Sequence, residues 1–173
     1  FQLFRQFSSA LPEVLFLICL GASVDRFYTS PNCIDWTYSG EFGEGKGSHE
    51  GVWECPDLFL LKVRNTDETK WVLIVNVNPG APAGGSGTQY FVGEFDGRCF
   101  ETDQEVTLWM DYGKDNYAGV TWNNAPDDRR ILIGWMNNWQ YANEVPNKYG
   151  ITLKNSKGEY YTVGYDNIDR CFY

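Results

Sequence analysis

The stretch that decides the fold runs from Trp71 to Glu101, "WVLIVNVNPGAPAGGSGTQYFVGEFDGRCFE". Its first seven residues are mostly aliphatic and β-branched, side chains that suit a pleated, half-buried surface. The run ends in "NPGAPAGGSG", a loop whose prolines and glycines cannot continue as helix. A second β-rich run, "TQYFVGEF", follows, and Asp96-Gly97 separates it from "RCFE". Asp-Gly between two such runs is a strong hairpin signal. The glycine-rich loop does not read as phosphate-binding, because it lacks a Gly-Lys-Ser/Thr ending and opens no helix.

The same pattern extends in both directions. "EVTLWM", "YAGVTWN" and "RRILIGWM" continue the strands, with "NNAPDD" turning between the last two. "GITLKN" and "EYYTVGY", joined by "SKG", read as a further hairpin. No stretch sustains a helical period. Short strands at this spacing predict an all-β sandwich, barrel or propeller. The charge run from Asp127 to Arg130 reads as a solvated hairpin tip. "VLFLICL", Val14 to Leu20, followed by "GAS", reads as a buried strand or as the apolar part of a signal peptide. Glu13, directly before it, weighs against the second reading. No segment is long enough to cross a bilayer as a helix.

The 173 residues suffice for one domain with a real core. Seven tryptophans and eleven tyrosines exceed what a minimal core needs, and flat rings can fill a β core or face sugar rings. A formal charge of −9 disfavours phosphate backbones and fits a neutral ligand. The five cysteines show no CxxC pairing, and His49, in "GKGSHEG", is the single histidine. No metal or cofactor site is expected, and His49 reads as a solvated loop residue.

Four carboxylates stand in aromatic-rich segments. Glu54 and Asp57 lie in "GVWECPDLF", and Asp111 and Asp115 in "WMDYGKDNYAGVTW". Carboxylates around an aromatic pocket suit glycosidic cleavage, in which one acid is protonated and another ionised. Trp53, beside Glu54, is a candidate for the poorly solvating wall that raises an acid's pKa. From spacing alone, the commoner reading of each carboxylate, and more so for Asp57, Asp111 and Asp115 than for Glu54, is a structural group accepting backbone N–H bonds in a turn.

Five ordered segments narrow the choice. "FYTSPNCIDWTYSGEFGEG", "GVWECPDLF", "NPGAPAGGSGTQYFVGEFDG", "WMDYGKDNYAGVTW" and "ILIGWMNNWQYANEVP" together resemble the invertase, inulinase and levanase family, glycoside hydrolase family 32. The detail is most similar to exo-acting levanases and exo-inulinases. The resemblance implies a five-bladed β-propeller followed by a β-sandwich, and retaining hydrolysis of β-fructofuranosides such as sucrose, inulin and levan. It implies that Glu54, in "ECP", is the acid/base. Asp111 and Lys114, in "DYGK", match a pair beside that acid that helps to bind substrate. Trp139, in "NNWQYA", matches an aromatic on the funnel wall, and an inactive sugar-binding relative would keep aromatic contacts through Trp53, Trp135 and Trp139. The family's polymeric substrates imply secretion.

The chain also departs from the pattern. The family's nucleophile lies in an "NDPNG"-type motif, which does not occur here. "FRQ" stands where the family has "FRD", which puts Gln6 in the place of a charged aspartate. Residues 1–24 otherwise match poorly. Residues 25–146 match propeller blades, and 147–173 resemble a hairpin of the sandwich after an abrupt junction. Such a partial, shortened relative would carry the acid without its nucleophile, either as an inactive sugar-binding relative or as a fragment without function of its own. It would also leave open strand edges that favour self-association.

Overall fold

The computed structural model describes residues 4–6, 14–19, 24–122, 125–126, 129–144, 152–154 and 160–162. Its first sheet is an antiparallel meander of β1 (Phe4–Gln6), β2 (Val14–Cys19), β3 (Asp25–Ser30) and β4 (Thr37–Phe42). The apolar run after Glu13 is therefore a strand, paired with β3 from Val14↔Ser30 to Cys19↔Asp25. Gln6 lies at the end of β1, opposite Leu15.

The second sheet runs β5 (Val52–Lys62), β6 (Thr69–Asn78), β7 (Gly87–Phe95) and β8 (Phe100–Glu101), again in chain order. The short β9 (Leu108–Trp109) also pairs with β7, so "EVTLWM" yields only two strand residues. β10 (Tyr117–Trp122) and β11 (Ile131–Trp135) form a two-stranded sheet. β12 (Thr152–Lys154) and β13 (Tyr160–Thr162) form the late hairpin. Apart from strands, the described residues include a 3-10 turn, Ala142–Glu144, and no α-helix.

The central strand explains the opening stretch. Leu73, Ile74, Val75, Asn76 and Val77 are all buried, so β6 shows no alternation of polar and apolar residues. A strand covered on both faces reads as a continuous apolar run. The core joins Phe27 and Phe42 of the first sheet to Trp53, Leu58, Leu73, Val75, Val77, Phe91, Phe95 and Phe100 of the second. Phe42 meets the edges of Phe91 and Phe100 at ring separations of 4.9 and 5.0 Å, the edge-to-face geometry that aromatic quadrupoles favour.

The Asp-Gly hairpin forms between β7 and β8. Asp96 Oδ1 accepts from the N–H groups of Arg98 (2.8 Å) and Cys99 (2.7 Å), and these bonds hold its carboxyl below the ordinary value. The charge run differs from expectation. Asp127 and Asp128 lie outside the described residues, and Arg130 is not a solvated tip. Its guanidinium lies 4.8 Å over the Phe59 ring and donates to Thr121 Oγ1 at 3.1 Å. An arginine plane stacks well on an aromatic face while its donors stay engaged.

Candidate active site

Glu54 stands where β5 breaks step with β6. The register passes from Glu54↔Asn76 to Asp57↔Ile74, so Cys55 and Pro56 together oppose the single residue Val75. This is a β-bulge, the device by which a strand re-aims a side chain. Cys55 takes a left-handed φ of 46°, and Pro56 has no N–H to lose from the ladder. The "ECP" sequence thus has a local structural reason. It places Glu54 on the exposed side, one residue after Trp53.

Trp53 itself corrects the sequence reading. Its side chain is 0% exposed, its Nε1–H donates to Ser48 O at 2.7 Å, and its ring packs against Phe42 and Phe91. Neighbouring residues on a strand point to opposite faces. The ring is therefore core, and neither walls Glu54 nor offers a face to sugar. His49 stacks on it at 5.3 Å in the exposed loop, with Nε2 2.8 Å from Lys46 O.

A second bulge faces the first. On β10 the register passes from Tyr117↔Trp135 to Val120↔Ile133, and Ala118 has a φ of 52°. Tyr117, 3% exposed, donates its hydroxyl proton to Glu54 Oε2. Sequence reasoning did not single out Tyr117 in "YAGVTW". The available signal was a tyrosine opening a strand that follows two candidate carboxylates. Both bulges carry a non-glycine residue in the left-handed region, and the Glu54–Tyr117 contact lies between them.

From Tyr117 an aromatic row leads outward. Its ring lies 6.5 Å from Trp135, which lies 5.0 Å from Trp139, and Trp139 is half exposed. Beside the row, Lys114 Nζ donates to Gln140 Oε1 at 2.7 Å. The buried Asn138 fastens this corner. Its amide nitrogen lies 2.7 Å from Lys114 O and 3.0 Å from Gly84 O, and its Oδ1 accepts from the N–H groups of Gln140 (2.9 Å) and Ser86 (3.2 Å). Gly85 has a φ of 72°, and a Cβ there would stand 2.0 Å from Asn138 Oδ1, so the "GGSG" loop requires glycine at that point.

The remaining carboxylates are engaged. Asp57 is 8% exposed and accepts from Thr121 N at 2.9 Å and from the Thr121 hydroxyl. Asp111 is exposed and accepts from Gly113 N at 2.6 Å in a local turn. No ion pair joins Asp111 to Lys114 among the described residues. Asp115 accepts from the Tyr141 hydroxyl. Burial, and then the neighbouring Glu54 carboxylate, push the Cys55 thiol up to about 11. Burial pulls the Arg130 guanidinium below its ordinary value, and Asp57 opposes that shift. Among the described residues no three His, Cys, Asp or Glu side chains gather as a metal site would require.

Residues 18–157 match the model of the glycosyl hydrolases family 32 N-terminal domain. The chain is similar to a levanase of Bacillus subtilis, 56% identical over 132 residues covering 72% of this chain and 20% of the relative. An extracellular exo-inulinase of Aspergillus niger is 47% identical over 128 residues, covering 69% of this chain and 24% of the relative. Among solved structures, the exo-inulinase of Aspergillus awamori aligns with a TM-score of 0.78 and 38% identity, over 84% of this chain and 30% of that one. A fructofuranosidase of Schwanniomyces occidentalis complexed with fructose aligns with a TM-score of 0.79 and 32% identity, over 85% of this chain and 28% of that one. The chain spans about a fifth to a quarter of the length of these curated relatives. Its meander sheets are accordingly blades of a partial β-propeller.

Proposed function

Because this chain belongs to glycosyl hydrolase family 32, we propose that it serves hydrolysis of β-fructofuranosidic bonds in sucrose or fructans, with Glu54 as the acid/base. The observation that carries the reading is the Glu54–Tyr117 contact at the inner end of the aromatic row. A fructosyl unit at Glu54 would place the rest of the substrate along Trp135 and Trp139, with Lys114 and Gln140 as polar contacts. Asp111, exposed nearby in sequence, is retained as a further hydroxyl-binding group. In the retaining route Glu54 protonates the glycosidic oxygen as the bond to fructose breaks, and later takes a proton from the incoming water. That route also requires an ionised second carboxylate to attack the sugar. Asp57 and Asp115 are committed to Thr121 and Tyr141, which argues against either in that role.

The test is fructose release from sucrose, inulin and levan by the purified chain and by Glu54→Gln. Removal of an acid/base is expected to lower turnover roughly 10²- to 10⁴-fold. Equal release by both proteins would exclude Glu54, and no release by either would exclude hydrolysis by this chain.

Two further parts of the reading concern setting. Export is proposed from relatives described as extracellular, and is tested by looking for the protein in culture medium. Self-association is proposed because β10 and β11 pair only with each other among the described strands, with Trp122 and Ile131 60% and 40% exposed. Open edges of this kind invite pairing with another copy. A monomeric mass in sedimentation across a hundred-fold concentration range would exclude it.

A further inference from the structure

We infer that Asn76 is a positioning residue that locks the two bulges together and thereby holds Glu54 against Tyr117. It sits in the middle of the buried run of β6, fully enclosed, where a lone amide is costly unless its groups are satisfied. All its bonds go to the two irregular strands or to the next strand of its own sheet. Nδ2 donates to Cys55 O at 3.1 Å, at the left-handed residue of the first bulge. Oδ1 accepts from Gly119 N at 3.3 Å, directly after the left-handed residue of the second. The same oxygen accepts the Thr88 hydroxyl proton at 2.5 Å, and that hydroxyl also lies 3.2 Å from Asn116 O, one residue before Tyr117.

One amide therefore ties the residue after Glu54 to Gly119, and through its partner Thr88 the tie reaches Asn116 on the other side of Tyr117. Valine, its neighbour on either side, would pack as well but could bond neither bulge. A bulge removes ladder bonds and leaves its carbonyls and N–H groups to find other partners. Here the partner of both bulges is the same side chain, so their separation is fixed by the length of one amide. Cys55 O and Gly119 N cannot drift apart without leaving a buried polar group unpaired, which an enclosed strand core penalises. Asn76 stands opposite Glu54 in the β5–β6 ladder, but its side-chain amide bonds to Cys55, Thr88 and Gly119, and the effect of that amide on Glu54 and Tyr117 passes through them.

The contact is measurable without turnover. In protein labelled with ¹³Cζ-tyrosine, the Tyr117 resonance (assigned by its loss in Tyr117→Phe) is expected to step in a pH titration as Glu54 gains a proton. Glu54→Gln should abolish that step. Asn76→Leu, with the same branched outline but no hydrogen-bonding groups, is expected to reduce the step at least two-fold in protein that circular dichroism shows to be folded. Thr88→Val, which removes one hydroxyl, should reduce it less, and it carries the test if Asn76→Leu does not fold. A full-sized step in either folded variant would overturn the inference, since a merely structural amide would lower the unfolding midpoint and leave the step intact. The role in turnover rests on the proposed hydrolysis. If the wild-type chain releases fructose, Asn76→Leu should lower kcat roughly ten-fold or more with KM within about two-fold. If it releases none, the hydrolytic reading fails while the resonance still decides the positioning role.

Discussion

The β6–β7 ladder and the β5–β10 face belong to the same molecule but follow opposite rules. β6 and β7 pair without interruption from Trp71↔Gly93 to Val77↔Gly87, and the middle of the ladder, Leu73 to Val77 with Thr88, Gln89 and Phe91, is buried. β5 and β10 each lose register once, each at a non-glycine residue with positive φ. Regular pairing satisfies every backbone group and lets side chains interlock, but it offers only two directions for a side chain to point. Irregular pairing provides a third direction and leaves backbone groups for a side chain such as Asn76 to satisfy. The ladder stabilises the sheet, and the bulges bring Glu54 and Tyr117 together.

The sharpest way to break this comparison is to damage the ladder alone. Leu73→Ala removes a fully enclosed side chain from β6. It is expected to cost about 3 kcal/mol in urea unfolding and to leave the Glu54–Tyr117 contact in place. Loss of that contact in folded protein would mean that the two regions are not separable.

A smaller effect is expected at the seam between them. Asp57 anchors Thr121 of β10 by two bonds and lies near the Arg130 guanidinium. Asp57→Ala should cost about 2 kcal/mol, because it strands a half-buried hydroxyl, an N–H group and part of a cation at once. A loss below about 0.5 kcal/mol, the lower end for one hydrogen bond, would show that solvent replaces those bonds and that the seam is looser than described.

The smallest effect concerns the bulge thiol. Cys55 is raised from an ordinary 9 to about 11 in the folded chain. The folded state then holds its proton where the unfolded state has lost it, so its contribution is full below pH 9 and is lost as pH rises towards 11. Urea midpoints of wild type and Cys55→Ser should converge over that window. Parallel curves would show that the thiol titrates normally in the fold.

Much of this architecture was legible in the residues. Strands bounded by Gly, Pro, Asn and Asp were visible because apolar runs and turn formers obey local rules, and β6, β7 and β10 begin and end within two residues of their sequence limits. "ECP" singled out Glu54 as a candidate, but the local reason for that order of residues appears only in the bulge. Trp53 was misread because its nearness to Glu54 in sequence was taken for nearness in space, although strand alternation already separates them. Arg130 was hidden in a charge run, since nothing local indicates that Phe59 lies beneath it. Tyr117 and Asn76 depend on pairing between distant strands. A single amide inside "WVLIVNV" was nonetheless a signal, because an apolar strand core admits such a group only with partners waiting.

The corner fastened by Asn138 bears on affinity. Segments around Gly84, Lys114 and Gln140 converge on one enclosed amide, so their backbones are immobilised before any ligand arrives. Loops that close over a sugar ordinarily give up conformational freedom on binding and weaken it by that amount. Here that freedom is lost when the chain folds. A ligand lying along Trp139, as proposed above, would meet a preorganised wall, and its affinity would be set by the fit of its hydroxyls to groups that are already in place.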